Sequence, residues 1–181
     1  MTRLTLRLAC IVSLAGAAIP VPAWSDAHMS APMVAKMADT SGTSVGTVTL
    51  TPTASGTALV ALDLKGLEPG WHAFHIHETG SCEDSFKAAG GHLAGDAQHG
   101  VSVEGGPHAG DLPNQMVAAD GTLQSELFAN TALKLTGEGS GVVADADGSA
   151  FIIHAGRDDY SSQPAGDAGD RVACGIIEMA K

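Results

Sequence analysis

ALVALDLKGLEPGWHAFHIH, residues 58–77, sets two short β-forming runs on either side of a turn. Ala58–Leu64 alternates as a half-buried strand does, Leu67-Glu68-Pro69-Gly70 turns the chain, and Ala73–His77 resumes an extended run. A strand has period two, so His75 and His77 project from one face while Phe74 and Ile76 point into the core. His72 has the parity of Phe74 and reads as a hydrogen-bonded structural histidine.

The same grammar extends outward. Met33–Ala38, Val45–Thr51, Thr122–Phe128, Ala150–His154 and Val172–Met179 are further strands, with turns at Asp39–Gly42 and Ala54–Gly56. No long stretch carries helical periodicity. Short strands at this spacing predict an all-β fold, an antiparallel β-sandwich or flattened barrel. Two segments break the rhythm: Glu78–Gln115 and Ala155–Asp170 are long, rich in Gly and Asp, and poor in strand formers. Loops of that length in a compact domain carry function or are disordered. The first holds three of the eight histidines and the second begins just after another, which argues for function.

The first 25 residues are set apart from this domain. Arg3 and Arg7 form a positive start, and Leu8–Ile19 is an apolar run too short to span a bilayer. Pro20 and Pro22 follow, with small residues at Ala23, Ser25 and Ala27. This reads as a signal peptide, residues 1–25, cleaved between 23 and 27, with the β domain over 26–181. Cys10 leaves with it. Cys82 and Cys174 remain, and in an exported protein two cysteines read as one disulfide. The formal charge is −11, which leaves no electrostatic footprint for nucleic acid. Stable membrane insertion is not expected either.

The chemistry lies in the histidines. An H-x-H pair alone says little, because two exposed strand histidines give the same pattern. His92, His99, His108 and Asp111, however, fall in one glycine-rich segment, and three imidazoles with one carboxylate make the closed tetrahedral set that zinc favours. His154 ends a strand and joins His75 and His77 in an imidazole-rich set suited to copper. Asp145-Ala146-Asp147-Gly148 reads as a hairpin turn, since a calcium loop would need glutamate where Gly156 stands. His28 and Met29, with Met33 and Met37, read as an N-terminus running into the first strand.

Residues 70–78, GWHAFHIHE, resemble the first copper-binding segment of copper/zinc superoxide dismutases. Gly91-His92, His99-Gly100 and the run from His108 to Asn114 resemble that family's zinc loop. Ile153-His154 and the run from Gly169 to Gly175 resemble its last copper ligand and its active-site arginine segment. Leu93–Gln98 departs from the family pattern: it lacks the usual Asn-Pro or Asp-Pro pair and is about one residue short. The resemblance implies a Greek-key arrangement of the strands. It assigns copper to His75, His77, His92 and His154, and zinc to His92, His99, His108 and Asp111, with His92 bridging. It further implies catalytic roles for Arg171 and His92, a carboxylate at Asp158 linking ligand histidines of both sites, and a Cys82–Cys174 bond. The expected function is dismutation of superoxide in the periplasm by a monomer or homodimer. The other reading to weigh is a copper/zinc buffering or delivery protein without turnover.

Overall fold

The computed structural model describes residues 31–180. The signal-peptide reading, and His28 with Met29, lie outside them. Eight strands form the domain: β1 (Met33–Asp39), β2 (Ser44–Pro52), β3 (Ala58–Leu64), β4 (Gly70–His77), β5 (Asp111–Val117), β6 (Leu123–Phe128), β7 (Ala150–His154) and β8 (Arg171–Met179). All pairings are antiparallel, in the order β5-β4-β7-β8-β1-β2-β3-β6. The sheet curls until the edge strands β5 and β6 approach each other, a nearly closed barrel.

Alternation decides which faces meet inside. Val48 and Leu50 of β2, Val60, Leu62 and Leu64 of β3, and Phe74 and Ile76 of β4 fill one apolar core. Phe74 stacks on Phe151 at 5.1 Å between ring centroids. Met33 and Met37 are buried in that core on β1. Burying a side chain of this size stabilises by roughly 1.5–3 kcal/mol. The core is thus the rigid backing on which β4 and β7 hold histidines outward.

Two sequence expectations change. The segment read as loop through Gln115 ends in strand β5. Pro113 and Asn114 look like turn residues, but β5 is an edge strand, where a missing N–H costs no ladder bond. A third long connection, residues 129–149, joins β6 to β7. Asp145–Gly148 lies within it as a turn closed by the Gly148 N–H on the Asp145 carboxylate, 3.0 Å. It is not a hairpin, because β6 and β7 do not pair. No helix among the described residues is long and apolar enough to cross a membrane.

Candidate metal centre

Of the five buried side-chain nitrogen and oxygen atoms without a hydrogen bond among the described residues, four are ring nitrogens: His75 Nδ1, His77 Nε2, His92 Nε2 and His154 Nε2. These four residues form one group whose donor atoms lie within 4.8 Å of one another. Each orphan nitrogen costs about 1–3 kcal/mol if nothing binds it. Four converging on one point describe an ion-sized site.

The opposite ring nitrogens explain why these atoms are free. His77 Nδ1 donates to the Gly90 carbonyl at 3.0 Å and His154 Nδ1 to the Gly169 carbonyl at 3.2 Å. His75 Nε2 donates to Asp158 Oδ2 at 2.9 Å. A carbonyl or carboxylate oxygen only accepts, so each neutral ring carries its proton there and turns a lone pair inward.

His92 also belongs to a second group, with His99, His108 and Asp111. Its Nδ1 lies 2.8 Å from Asp111 Oδ1, that of His99 3.1 Å and that of His108 3.3 Å. With bonds of about 2.0–2.1 Å, a tetrahedral zinc has ligand–ligand edges of about 3.3–3.4 Å, which the His108 separation matches, while those of His99 and His92 are shorter. The His99 contact is decisive. His99 Nε2 donates to Asp158 Oδ1 at 3.0 Å, so in the neutral ring Nδ1 faces a carboxylate lone pair to lone pair. A cation between them removes the repulsion. Asp111 Oδ2 is already occupied by the N–H groups of Gly100 (2.9 Å) and His108 (3.0 Å), which leaves Oδ1 for an ion.

Asp158 therefore carries one imidazole from each group on its two oxygens. Gly100, at φ +93°, and Gly166, at φ +70°, are required here: a Cβ on Gly100 would collide with the Tyr160 carbonyl, and one on Gly166 with the Asp158 carboxylate. The short Leu93–Gln98 segment still delivers His99 to the cluster. His72, as its parity implies, stays out of both groups and contacts the carbonyls of His154 (2.7 Å) and Glu68 (2.8 Å).

Protonation matches the ligand role. Burial pushes His75 down to about 4, His77 to about 2 and His154 to about 3, and the neighbouring histidines push the same way. Burial alone would raise the Asp111 carboxyl, but the His92 hydrogen bond and the Gly100 N–H hold it below the carboxylate range. At neutral pH the His75, His77 and His154 rings are therefore unprotonated at the nitrogens that face the site. Depressed imidazoles refuse protons that the unfolded chain takes up below about 6.5. The metal-free protein is therefore expected to keep this stability above pH 6.5 and lose it as pH falls toward 4. Thermal melts of metal-free protein at about pH 7.5, 6 and 5 read the effect, and a constant Tm contradicts it.

Arg171 opens β8 opposite His154. Its Nη1 donates to the Phe86 carbonyl (2.5 Å) and its Nη2 to the Gly90 carbonyl (2.6 Å), the same oxygen that orients His77. Two surface depressions meet at Gly169, one lined by His154, Gln163, Pro164 and Ala165, the other by Ser85, Lys87, Asp170 and Arg171. Arg157 is elsewhere, exposed over the Trp71 ring at 5.8 Å. Cys82 and Cys174 form a disulfide with Cα atoms 5.8 Å apart.

The family model for copper/zinc superoxide dismutase (SODC) matches residues 44–177. The chain belongs to the copper/zinc superoxide dismutase family. A copper/zinc superoxide dismutase of Caulobacter vibrioides is 43% identical over 82% of this chain and 86% of its own length. One from Aquifex aeolicus is 40% identical over 79% and 84%. Among solved structures, a SOD-like protein from Bacillus subtilis superposes with a TM-score of 0.73 at 32% identity. The match covers 79% of this chain and 96% of that one. Copper/zinc superoxide dismutase from Brucella abortus gives 0.64 at 33%, covering 81% and 99%. Copper and zinc are the family's metals, and both histidine groups suit them.

Three residues whose side chains bond the backbone around the site escaped sequence reading as site residues. Asn114 bonds the Asp158 backbone, Asn130 Nδ2 donates to the His108 and Ala109 carbonyls, and Gln163 pairs with the His99 backbone. Only Asn114 stood in a segment the sequence singled out, at the end of the run from His108 to Asn114.

Proposed function

We propose that this chain dismutates superoxide to dioxygen and hydrogen peroxide, with His75, His77, His92 and His154 holding copper and His92, His99, His108 and Asp111 holding zinc. The observation that carries the proposal is the set of four buried, unbonded ring nitrogens, one of them on the histidine shared with the second group. Copper held there would supply a one-electron redox couple, and zinc would order the loop around it. The net reaction consumes two superoxide anions and two protons.

The chain's own residues bind, orient and protonate. His92 Nε2 has no protein partner and is the ring atom that can take up a proton whenever it is not holding the metal, because its Nδ1 is committed to the Asp111 side. Gly90, through one carbonyl, fixes both the His77 ring and the Arg171 guanidinium. Arg171 gives an anion a local positive charge on an acidic domain, a feature that a metal store would not need. Dismutation assayed with copper restored, beside a copper-free control, tests the proposal. Equal and negligible rates would leave buffering or delivery as the reading.

At roughly 5 Å and an effective dielectric of about 40–80, one charge is worth about 0.8–1.7 kcal/mol to superoxide. Arg171→Ile is therefore expected to lower kcat/KM roughly four- to twentyfold with both metals retained, and Arg171→Lys to recover part of it. Arg157→Ser should change it less, since an exposed cation is screened. A larger loss at Arg157 than at Arg171 would move the anion-docking role to Arg157.

We further propose export to the periplasm through residues 1–25, and a second copy of the chain as partner. The exposed apolar side chains Val101 and Phe128 beside Pro113 and Tyr160 support the latter. The mass of the mature chain reads the first, and sedimentation at micromolar concentration the second.

A further inference from the structure

We propose that Asn114 is a positioning residue for both metal groups, acting through Asp158; the inference rests on the two-metal reading above. Asn114 is buried on the edge strand β5, three residues beyond Asp111. Its Nδ2 donates to the Asp158 carbonyl at 2.9 Å, and its Oδ1 accepts the Asp158 N–H at 2.8 Å. A primary amide presents a donor and an acceptor side by side, the complement of one residue's backbone pair. Asp158 lies in the β7–β8 loop without a strand neighbour, so this double bond stands in for a ladder.

The clamp is itself closed. The Tyr160 phenol oxygen accepts the Asn114 N–H at 2.9 Å, and the Tyr160 N–H returns to Asp158 Oδ1 at 2.6 Å. Tyr160 holds φ +63°, a left-handed backbone that an L-residue keeps only when its surroundings fix it. Asp158 then presents Oδ2 to His75 and Oδ1 to His99. A shift of the Asp158 backbone displaces both imidazoles together, one in each group. Asn130 is the internal comparison. Its amide bonds the His108 and Ala109 carbonyls and touches only the zinc-side group.

The test uses metal-free wild type and the variants Asn114→Ala, Asn114→Asp, Asn130→Ala, Asp158→Ala and the Asn114→Ala/Asp158→Ala double. Each is titrated with zinc and with copper against a chelator, and folding is checked by thermal melt. Outer-shell partners of metal ligands are worth about 10–100-fold in affinity, and a residue one step further out should be worth less, about three- to tenfold. Asn114→Ala is expected to weaken both metals by that factor, and Asn130→Ala zinc alone. Asn114→Asp keeps the acceptor for the Asp158 N–H but sets a carboxylate oxygen against the Asp158 carbonyl, so it should weaken both metals at least as much as Asn114→Ala. The double variant should bind no more weakly than Asp158→Ala, because the two act in series. The copper(II) paramagnetic resonance spectrum of Asn114→Ala should shift in the direction of Asp158→Ala. Additive losses in the double variant, or unchanged affinities in Asn114→Ala beside a wild type that binds both metals, overturn the inference. A wild type that takes up neither metal overturns the two-metal reading and this inference with it.

Discussion

His154→Ala is expected to lose copper and nearly all dismutase activity while keeping zinc. His154 contributes Nε2 to the first group and nothing to the second. Removing an outer-shell partner typically costs about 10–100-fold, so deleting a donor itself should cost at least about 100-fold in copper affinity. The backbone should survive the change: the bond from His72 is to the His154 carbonyl, and β7 remains paired with β4 and β8. Only the Nδ1 bond to the Gly169 carbonyl goes with the ring. His108→Ala should do the opposite. It removes a zinc-side nitrogen, frees the Gly-rich loop, and leaves the copper-side nitrogens of His75, His77, His92 and His154 in place, so some copper-dependent turnover remains. Elemental analysis and kcat/KM of both variants read the difference. Equal loss of the two metals in His154→Ala would contradict the division into two groups.

How much of this could be read from the chain depends on how local each signal is. Alternation locates seven strands, because a half-buried strand writes its burial into successive residues. The paired outward positions of His75 and His77 follow from the same rule. Strand β5 was hidden because Pro113 and Asn114 carry turn chemistry, and only its place at the sheet edge makes them tolerable. The 129–149 connection was hidden for a related reason: β6 pairs with β3 and not with its successor, and pairing order is not a local property. The backbone acceptors are the least legible part. Nothing in the identity of Gly90 or Phe86 says that its carbonyl will hold Arg171, and nothing local joins Asn114 to Asp158, 44 positions apart. The donor types were written in the sequence; their orientation comes from carbonyls that any residue possesses.

The Cys82–Cys174 bond is expected to supply one of the largest single contributions to the stability of the metal-free fold. It closes a segment of 92 positions, for which loop-closure entropy allows about 4–5 kcal/mol at most, and native strain and compact unfolded states lower that. Its placement matters as much as its length. Cys174 sits in the middle of β8, and around it Phe86, Ala89, Ala150 and Ile152 form a second small cluster, with Cys82 packed on its rim. The bond thus presses the segment after β4 onto the sheet. That segment carries the Phe86 and Gly90 carbonyls that hold Arg171 and orient His77. Taking about 3 kcal/mol as the realised part, Cys82→Ser should lower the Tm of the metal-free protein by about 6–12 °C, at about 2–4 °C per kcal/mol for a chain of this size. Copper retention should weaken as well, because a looser Gly90 releases the His77 ring. The melts belong on metal-free protein, since bound ions stabilise by linkage and would mask the difference. Reduced wild type provides the control for the new serine and should melt near the variant. Two free thiols in protein made under oxidising conditions, or an unchanged Tm in Cys82→Ser, would remove the bond from this account and leave the apolar cluster as what seats the loop.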